Sequence, residues 1–405
     1  MKYLFFLLMI CALQAKSYSQ INNEVCGLKC QANKATAELN KKPFVPATTA
    51  VPSDSALPLN HLKVLSLLQK LQKILKEKED VTLPEFAPDR PLRPSDKDDN
   101  IPALRQILQS LGYLEKATDS PFFDTELEAA VKAFQAGHCI EPDGIIGDET
   151  KARINWSYEK RLKKIDASIA KIKNLVFTDR TVIVNIPTYT LHAFEDQKLK
   201  MCMKVIIGMP KRPTPQMTSY INGVEYNPVW VVPSTILFED KLPKIQEDSE
   251  FFEKNDLQVF DHDENEVDPS TVEWNDVDIH DFPYVFKQKS GKKNALGLLK
   301  FNLQNDDLIY IHDTPQQELF KKYSRALSSG CVRLEKAGKF ASWLLNLEKD
   351  EVRTEIDTGE TKTESLESPI TVHITYIPVW VDERQGDGKV LWGDDPYSLE
   401  PKPFY

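Results

Sequence analysis

Basic stripes, long apolar runs and paired cysteines are scarce in this chain, and each shortage closes off a class of function. The formal charge over 405 residues is −10. No stretch is basic enough to neutralise a phosphate backbone, which argues against nucleic acid as a partner and leaves open a local contact with an anionic polymer. Beyond the first 13 residues no run is long and apolar enough to cross a bilayer. Of the six cysteines, Cys11 lies in that first apolar run, leaving Cys26, Cys30, Cys139, Cys202 and Cys331. An odd number in an oxidising compartment requires at least one free thiol or an intermolecular bridge. Cys26 and Cys30 could pair locally, but a Cys-x-x-x-Cys without neighbouring histidines is poor material for a metal site. No metal and no cofactor are expected.

The N-terminus has a single positive charge, Lys2, ahead of the short apolar run 3–13, the pattern of a signal-peptide core rather than a spanning helix. Cleavage after Ser19 would leave Gln20 first and place the mature protein in the periplasm or outside the cell; an uncleaved segment would anchor it in the inner membrane. Residues 20–60 are polar and rich in Pro, Ala and Thr, which predicts a tether. The spacing Leu62, Leu65, Leu68, Leu71, Leu75 predicts an amphipathic helix within a scaffold segment, 61–100, and the Pro- and Asp-rich passage 83–100 is expected to separate it from the next unit.

The length calls for two or three folding units. Residues 101–156 predict a compact module of three helices. Leu104, Ile107, Leu108 and Leu111 mark the first, ending at Gly112; Leu127, Val131 and Phe134 mark the second, capped by Asp124 or Thr125 and ended by Gly137; Asp148 is expected to cap the third. His138, just past the second helix, reads as an ordinary surface histidine. A charged linker helix comes next, within 157–177. From 178 to 380 the chain is β-rich, with strands expected at 181–186, 188–194, 200–207, 227–232 and, closing the domain, 372–376. The interval 234–291 is too long for a plain loop and predicts an inserted subdomain. Residues 348–367, rich in Glu and Thr, are expected to be an exposed connection, and 381–405 a C-terminal extension. The fold class is therefore multidomain α+β.

The chemistry gathers between Leu308 and Leu334. An apolar run, 308–311, delivers His312, and a Ser-Ser-Gly turn nineteen residues on delivers Cys331. A thiol attacks an acyl carbon as thiolate, so it needs a neighbour that takes its proton and returns it to the leaving group; imidazole suits both steps. Apolar residues at three-and-four spacing from Leu334 predict a helix straight after Cys331, whose positive end would favour the ionised sulfur. Gly330 permits a sharp turn that frees the Cys331 amide to donate to an oxyanion. Arg325 and Arg333 are candidates either to hold substrate carboxylates or to brace the loop. Trp230 reads as a buried sheet aromatic or a wall of the site, and Ser329 and Tyr310 flank the pair.

The sequences His312-Asp-Thr-Pro and Ser324-Arg-Ala-Leu-Ser-Ser-Gly-Cys-Val-Arg resemble the active-site signature of the L,D-transpeptidases (YkuD domain), and most closely their large periplasmic YcbB-like branch. Val-Asn-Ile-Pro at 184–187, Lys-Val-Ile-Ile-Gly at 204–208 and Asn-Pro-Val-Trp-Val-Val-Pro at 227–233 resemble the same branch, as does 376–397 its C-terminal extension. Leu-Gly-Tyr-Leu at 111–114, Ala-Val-Lys-Ala-Phe-Gln at 130–135 and Pro-Asp-Gly-Ile-Ile-Gly at 142–147 resemble a PGBD-like peptidoglycan-binding domain.

The resemblance implies that Cys331 is the acyl acceptor and His312 its base, with Asp313 at the third catalytic position, where a backbone carbonyl orients the imidazole. Most members carry histidine where this chain has Ser329, and the large branch carries serine. It further implies that 234–291 caps the site, that Gln288, Gly291, Asn294, Ala295, Leu296 and Gly297 lead the chain back into the sheet, and that the thiol reacts with carbapenems. The implied partners are peptidoglycan stem peptides, a tetrapeptide as donor and a diaminopimelate amine as acceptor, with the glycan strand held by 101–156. The implied product is a 3→3 cross-link with release of D-Ala. With water as acceptor the same chemistry gives a hydrolase, with another amine a protein-to-wall attachment enzyme; a non-catalytic wall-binding protein is the reading from another class.

Overall fold

The computed structural model describes residues 59–248, 250–277, 281–382 and 388–399; the expected signal segment and most of the expected tether lie outside these. Helix α1 (Leu59–Lys76) carries the predicted stripe with one shift. Val64, Leu65, Leu68 and Leu75 are buried, whereas Leu62 is 49% exposed. The stripe packs on α5 (Tyr158–Lys173), whose Ser157 caps it by accepting from the Lys160 amide at 3.1 Å. That helix is no solvated spacer. It buries Leu162, Ile165, Ile169 and Ile172 against α1 and against a C-terminal hairpin of β14 (Val379–Asp382) and β15 (Lys389–Trp392).

The helical module holds α2 (Ile101–Ser110), α3 (Thr125–Gly137) and α4 (Asp148–Ile154). Asp124 caps α3 from the Leu127 amide at 2.9 Å and pairs with the buried Arg105. Asp148 is the first residue of α4, and Gly147 occupies the cap. The passage 83–100 is not a separator: Phe86 and Leu92 are fully buried in the module's core, and Leu92 bridges Ile146 as Lys97 bridges Phe122. Proline fixes the backbone along this passage without preventing it from packing.

The β-rich domain is one sheet in the order β11-β3-β12-β10-β9-β4-β13-β1-β2, and β2 also pairs with β3, so the sheet closes on itself. Its strands are β1 (Arg180–Asn185), β2 (Thr190–Glu195), β3 (Lys198–Gly208), β4 (Met217–Tyr226), β9 (Leu299–Leu303), β10 (Ile311–His312), β11 (Ala326–Ser328), β12 (Val332–Leu334) and β13 (Lys362–Thr375). Val182 and Val184 point to the enclosed core with Leu191, Val205, Ile311 and Val332; Ile183, between them, points out to the α1–α5 layer. Burial on both faces explains why β1 reads as an unbroken apolar run. Helix α6 (Ala337–Leu345) closes the core with Phe340 and Leu344, and α7 (Lys349–Asp357) comes after it.

Three expectations change. Strand β4 was not legible, because Thr218, Ser219, Tyr220, Asn222 and Gly223 interrupt its apolar residues. The stretch 348–367 is largely structured: it contains α7 and the outer half of β13, which pairs with β4 from Lys362 to Ser365. In the expected strand 227–232 only β5 (Trp230–Val231) forms, and it belongs to the insertion.

The insertion is a second small sheet in the order β5-β8-β6-β7, with β6 (Leu257–Phe260), β7 (Glu266–Val267) and β8 (Val285–Gln288), plus a helical stretch. That stretch passes from Ser234–Ile236 through a π-helical turn, Leu237–Lys241, into Leu242–Glu247. Trp230, Leu237, Phe252 and Phe286 form its own core. Asn294 ties the return to the sheet, donating to the carbonyls of Pro228 at 3.0 Å and Lys289 at 2.9 Å.

Candidate active site

Two short parallel strands set the chemistry side by side. β10 pairs with β12 in the register Ile311↔Val332 and His312↔Arg333. Side chains alternate along a strand. Ile311 and Val332 are fully buried in the enclosed core, so Tyr310, His312, Cys331 and Arg333 share the opposite face. The rings of Tyr310 and His312, 5.8 Å apart, agree with this. Cys331 and His312, nineteen residues apart in sequence, thus lie two residues out of register on neighbouring strands, which keeps them on one face.

His312 is buried, and its Nδ1 lies 2.5 Å from the Asp313 carbonyl oxygen. Donation there fixes the tautomer that leaves Nε2 bare to accept a proton. Burial lowers the imidazole pKa to about 3; Arg333 acts in the same sense, while the carbonyls of Asp313 and Leu296 oppose it. The Asp313 carboxylate is not directed to the imidazole. It accepts from the Leu298 amide at 3.0 Å and packs on Gly297. Gly297 has φ +65°, and a Cβ there would lie 2.4 Å from the carboxylate oxygen, so only glycine fits.

The Cys331 thiol donates to the Leu308 carbonyl, 3.9 Å away, rather than to His312. Burial pushes the thiol up to about 11, against the opposing pull of Tyr310, Arg333 and Lys300. This corrects the expectation of a helix end beside the sulfur. Strand β12 comes directly after Cys331, and α6 begins only at Ala337. The resting pair is therefore a neutral thiol and a neutral imidazole.

The turn that presents the thiol is pinned on several sides. Thr214 donates to the Gly330 carbonyl at 2.6 Å and accepts from the Gly208 amide at 2.8 Å. Ser328 donates to the Cys331 carbonyl at 2.6 Å and accepts from the Gly330 amide at 3.2 Å. Gly330 sits at φ +122°, a conformation for glycine alone. Among the described residues no acceptor takes the Cys331 amide, which leaves that donor for an oxyanion.

The two arginines separate. Arg325 is buried and donates to the carbonyls of Val205, Lys322, Tyr323 and Tyr189 at 2.8–3.2 Å, so it braces the loop. Arg333 stands on the Cys331 face; its Nη1 donates to Gln316 at 2.9 Å and its buried Nε has no partner. An unpaired buried donor beside a nucleophile is suited to a substrate carboxylate. Trp230 is buried in the insertion's core, and Tyr310 packs against the same cluster, so Trp230 lies both in a core and beside the site. Ser329 Oγ accepts from Arg212 at 3.0 Å. Sequence reasoning missed Arg212 and Thr214; the Arg-Pro-Thr-Pro run at 212–215 carries no motif that marks them.

Cys139 and Cys331 are free thiols and Cys202 Sγ lies 3.9 Å from His192 Nε2, while Cys26 and Cys30 lie outside the described residues. Among the described residues no cluster of His, Cys, Asp and Glu could hold a metal ion, and no helix is long and apolar enough to cross a membrane.

Residues 179–374 match a family model described as the L,D-transpeptidase catalytic domain (YkuD), and residues 97–154 one described as "Putative peptidoglycan binding domain". Over 222 residues the chain is 37% identical to a "Putative L,D-transpeptidase" of Haemophilus influenzae, an alignment covering 54% of this chain and 44% of that protein. The chain thus spans less than half the length of that curated relative. Among solved structures it is similar to an L,D-transpeptidase from Mycobacterium smegmatis at 16% identity, covering 48% of this chain and 58% of that one, with a TM-score of 0.24. A second similarity, to the L,D-transpeptidase (Yku) from Stackebrandtia nassauensis, has 16% identity, 73% and 97% coverage, and a TM-score of 0.26.

Proposed function

We propose that this chain, which carries an L,D-transpeptidase catalytic domain at 179–374 and a peptidoglycan-binding domain at 97–154, cross-links peptidoglycan stem peptides through a thioester on Cys331. The observation that supports this most is the shared face of β10 and β12, where Cys331, His312 and the partnerless Nε of Arg333 meet.

In the proposed reaction, rotation about Cα–Cβ turns the Cys331 thiol from Leu308 toward His312. The thiol proton passes to Nε2 as sulfur bonds to the acyl carbon at the L-centre of diaminopimelate in a tetrapeptide stem. The resulting oxyanion takes the Cys331 amide, and the Asp313 carbonyl steadies the imidazolium. Collapse breaks the peptide C–N bond, and the imidazolium returns its proton to the departing D-Ala amine. The side-chain amine of a second stem's diaminopimelate then gives a proton to His312 and attacks the thioester. A 3→3 cross-link forms and the thiol is regenerated. Arg333 holds a carboxylate of the donor stem, and the helical module holds the glycan, which places the work at the cell wall.

The test is intact-mass analysis of the protein and its Cys331→Ala variant, mixed with a disaccharide-tetrapeptide and separately with a carbapenem. The expected result is an adduct on the wild type alone, with D-Ala released and a dimeric muropeptide formed. Release yielding only tripeptide makes water the acceptor and the chain a hydrolase. Absence of labelling at Cys331 by either reagent under reducing conditions overturns the enzymatic reading in favour of wall binding.

A further inference from the structure

The segment between β3 and β4 cradles the nucleophile turn, and one of its side chains also reaches the insertion. Arg212 is only 6% exposed. Its Nη1 donates to Ser329 Oγ at 3.0 Å, two residues before Cys331. The same guanidinium grips two carboxylates of the insertion: Nη1 to Asp240 at 2.6 Å, and Nη2 to Asp240 at 2.9 Å and Glu239 at 2.6 Å. Both carboxylates ride on the π-helical turn Leu237–Lys241, a local widening of the helix that is frequent at functional sites. The fork therefore joins three pieces of chain that are distant in sequence, with Ser329 and Asp240 sharing the two hydrogens of one Nη1.

Two further contacts make this a mechanical link. Thr214, two residues on, holds the Gly330 carbonyl, so the 209–216 segment grips the turn through both backbone and side chain. On the far side of the same turn, Lys241 lies 5.6 Å from the Trp230 ring, and Tyr310, which shares the Cys331 face, packs against the cluster that holds Trp230. The turn 237–241 thus reaches the nucleophile by two routes.

We propose that Arg212 is a positioning residue that latches the insertion to the nucleophile turn, so that Cys331 reaches its reactive geometry only while Glu239 and Asp240 are engaged. The role rests on the acyl-transfer reading, since it presumes that Cys331 reacts. Opening the insertion to admit a stem peptide removes two carboxylates from a guanidinium that water scarcely reaches. Docking restores them and fixes Ser329, which ties closure over the substrate to readiness of the thiol. Lysine cannot replace the fork, having one compact charge where the site uses two nitrogens in a plane.

The experiment uses the full chain with a carbapenem as probe, following the mass of the Cys331 adduct with time over a range of concentrations. Hydrogen exchange of 234–248 and 326–332 is read in parallel. Glu239→Gln combined with Asp240→Asn changes half-exposed groups and is expected to fold. It should lower the limiting acylation rate by roughly tenfold to a hundredfold, the cost of misplacing a reacting group, with little change in the half-saturating concentration. Both segments should lose exchange protection together.

Arg212→Ala should show the same losses, Arg212→Lys should recover only part of them, and adding Arg212→Ala to the double variant should cost nothing more. Ser329→Ala should slow acylation while leaving the protection of 234–248 intact. A double variant that acylates at the wild-type rate, or that frees 234–248 without changing 326–332, overturns the latch. If the wild type itself is not labelled, the acyl-transfer reading has failed, and the exchange data alone then decide whether the two segments are coupled.

Discussion

Replacing Thr214 by Val keeps the shape of a buried side chain and removes one hydroxyl. That hydroxyl donates to the Gly330 carbonyl at 2.6 Å and accepts from the Gly208 amide at 2.8 Å. Gly208 and Gly330 are themselves buried, so neither orphaned group gains a water in exchange. An unsatisfied buried donor or acceptor costs about 1–3 kcal/mol, and two such groups about 2–6 kcal/mol. Urea unfolding of T214V should show a lower midpoint with an unchanged slope, and T214S, which keeps the hydroxyl, should restore most of the loss. The carbapenem acylation rate should also fall, by roughly tenfold or more, because Gly330 carries the turn that aims the thiol. T214V within about 0.5 kcal/mol of the wild type and acylating normally would refute the claim that this hydroxyl holds the turn.

With the imidazole lowered to about 3 and the thiol raised to about 11, neither group changes charge in the neutral range. The limiting rate of carbapenem acylation should be flat from about pH 5 to 9, and an inflection near the ordinary histidine value of about 6.5 would contradict the assigned resting state. Burial of neutral His312 and His138 also fixes the sign of acid sensitivity. Both pKa values are lowered on folding, so the unfolded chain binds the extra protons; the contribution is complete above about pH 6.5 and is lost as pH falls toward 3, which a series of thermal melts reads directly. Arg325→Met removes the brace of four carbonyls and should cost about 2–4 kcal/mol in urea unfolding, whereas Arg333→Met should leave the unfolding midpoint near the wild type and raise the half-saturating stem-peptide concentration. Asp394→Ala breaks bonds to Arg153 and Tyr189 and should cost about 2–4 kcal/mol, with faster proteolytic cutting between the module and the sheet.

The candidate pair was easier to read from the sequence than the elements that hold it. His312 and Cys331 stood out because a histidine at a strand end and a cysteine after a glycine turn form a legible candidate pair. Arg212 and Thr214 did not, since an Arg-Pro-Thr-Pro run looks like any loop until the fold lays it against Ser329 and Gly330. Period-based reading found β1, β2 and β3, where apolar residues dominate, and missed β4, whose Thr218, Ser219 and Tyr220 take their places through the ladder to β13. Acidic composition misled at 348–367 for the same reason: α7 is held by a capping box between Glu348 and Glu351, and β13 by its ladder to β4. The helix expected at Cys331 failed because three residues of strand intervene, a boundary that a short apolar run cannot show.

His138 carries the sharpest lesson about arrangement. Read as a surface residue, it is fully buried, stacked 3.8 Å from the Phe134 ring and 5.9 Å from Trp392, with Nε2 3.1 Å from Arg161. Phe134 belongs to the helical module, Arg161 to α5 and Trp392 to the C-terminal hairpin, so this ring sits where three pieces of chain meet. From the same junction Arg153 donates to Asp394 at 2.8 Å, Asp394 accepts from the Tyr189 hydroxyl at 2.6 Å, and Arg325 donates to the Tyr189 carbonyl at 3.0 Å while standing over its ring. Arg325 opens the segment that runs through β11 to Cys331. A module hung on a flexible spacer would wander relative to the thiol. Buried stacking and charge-assisted bonds instead fix one against the other. On the proposed function, a glycan strand held by the module would present its stems at a set distance and angle from Cys331.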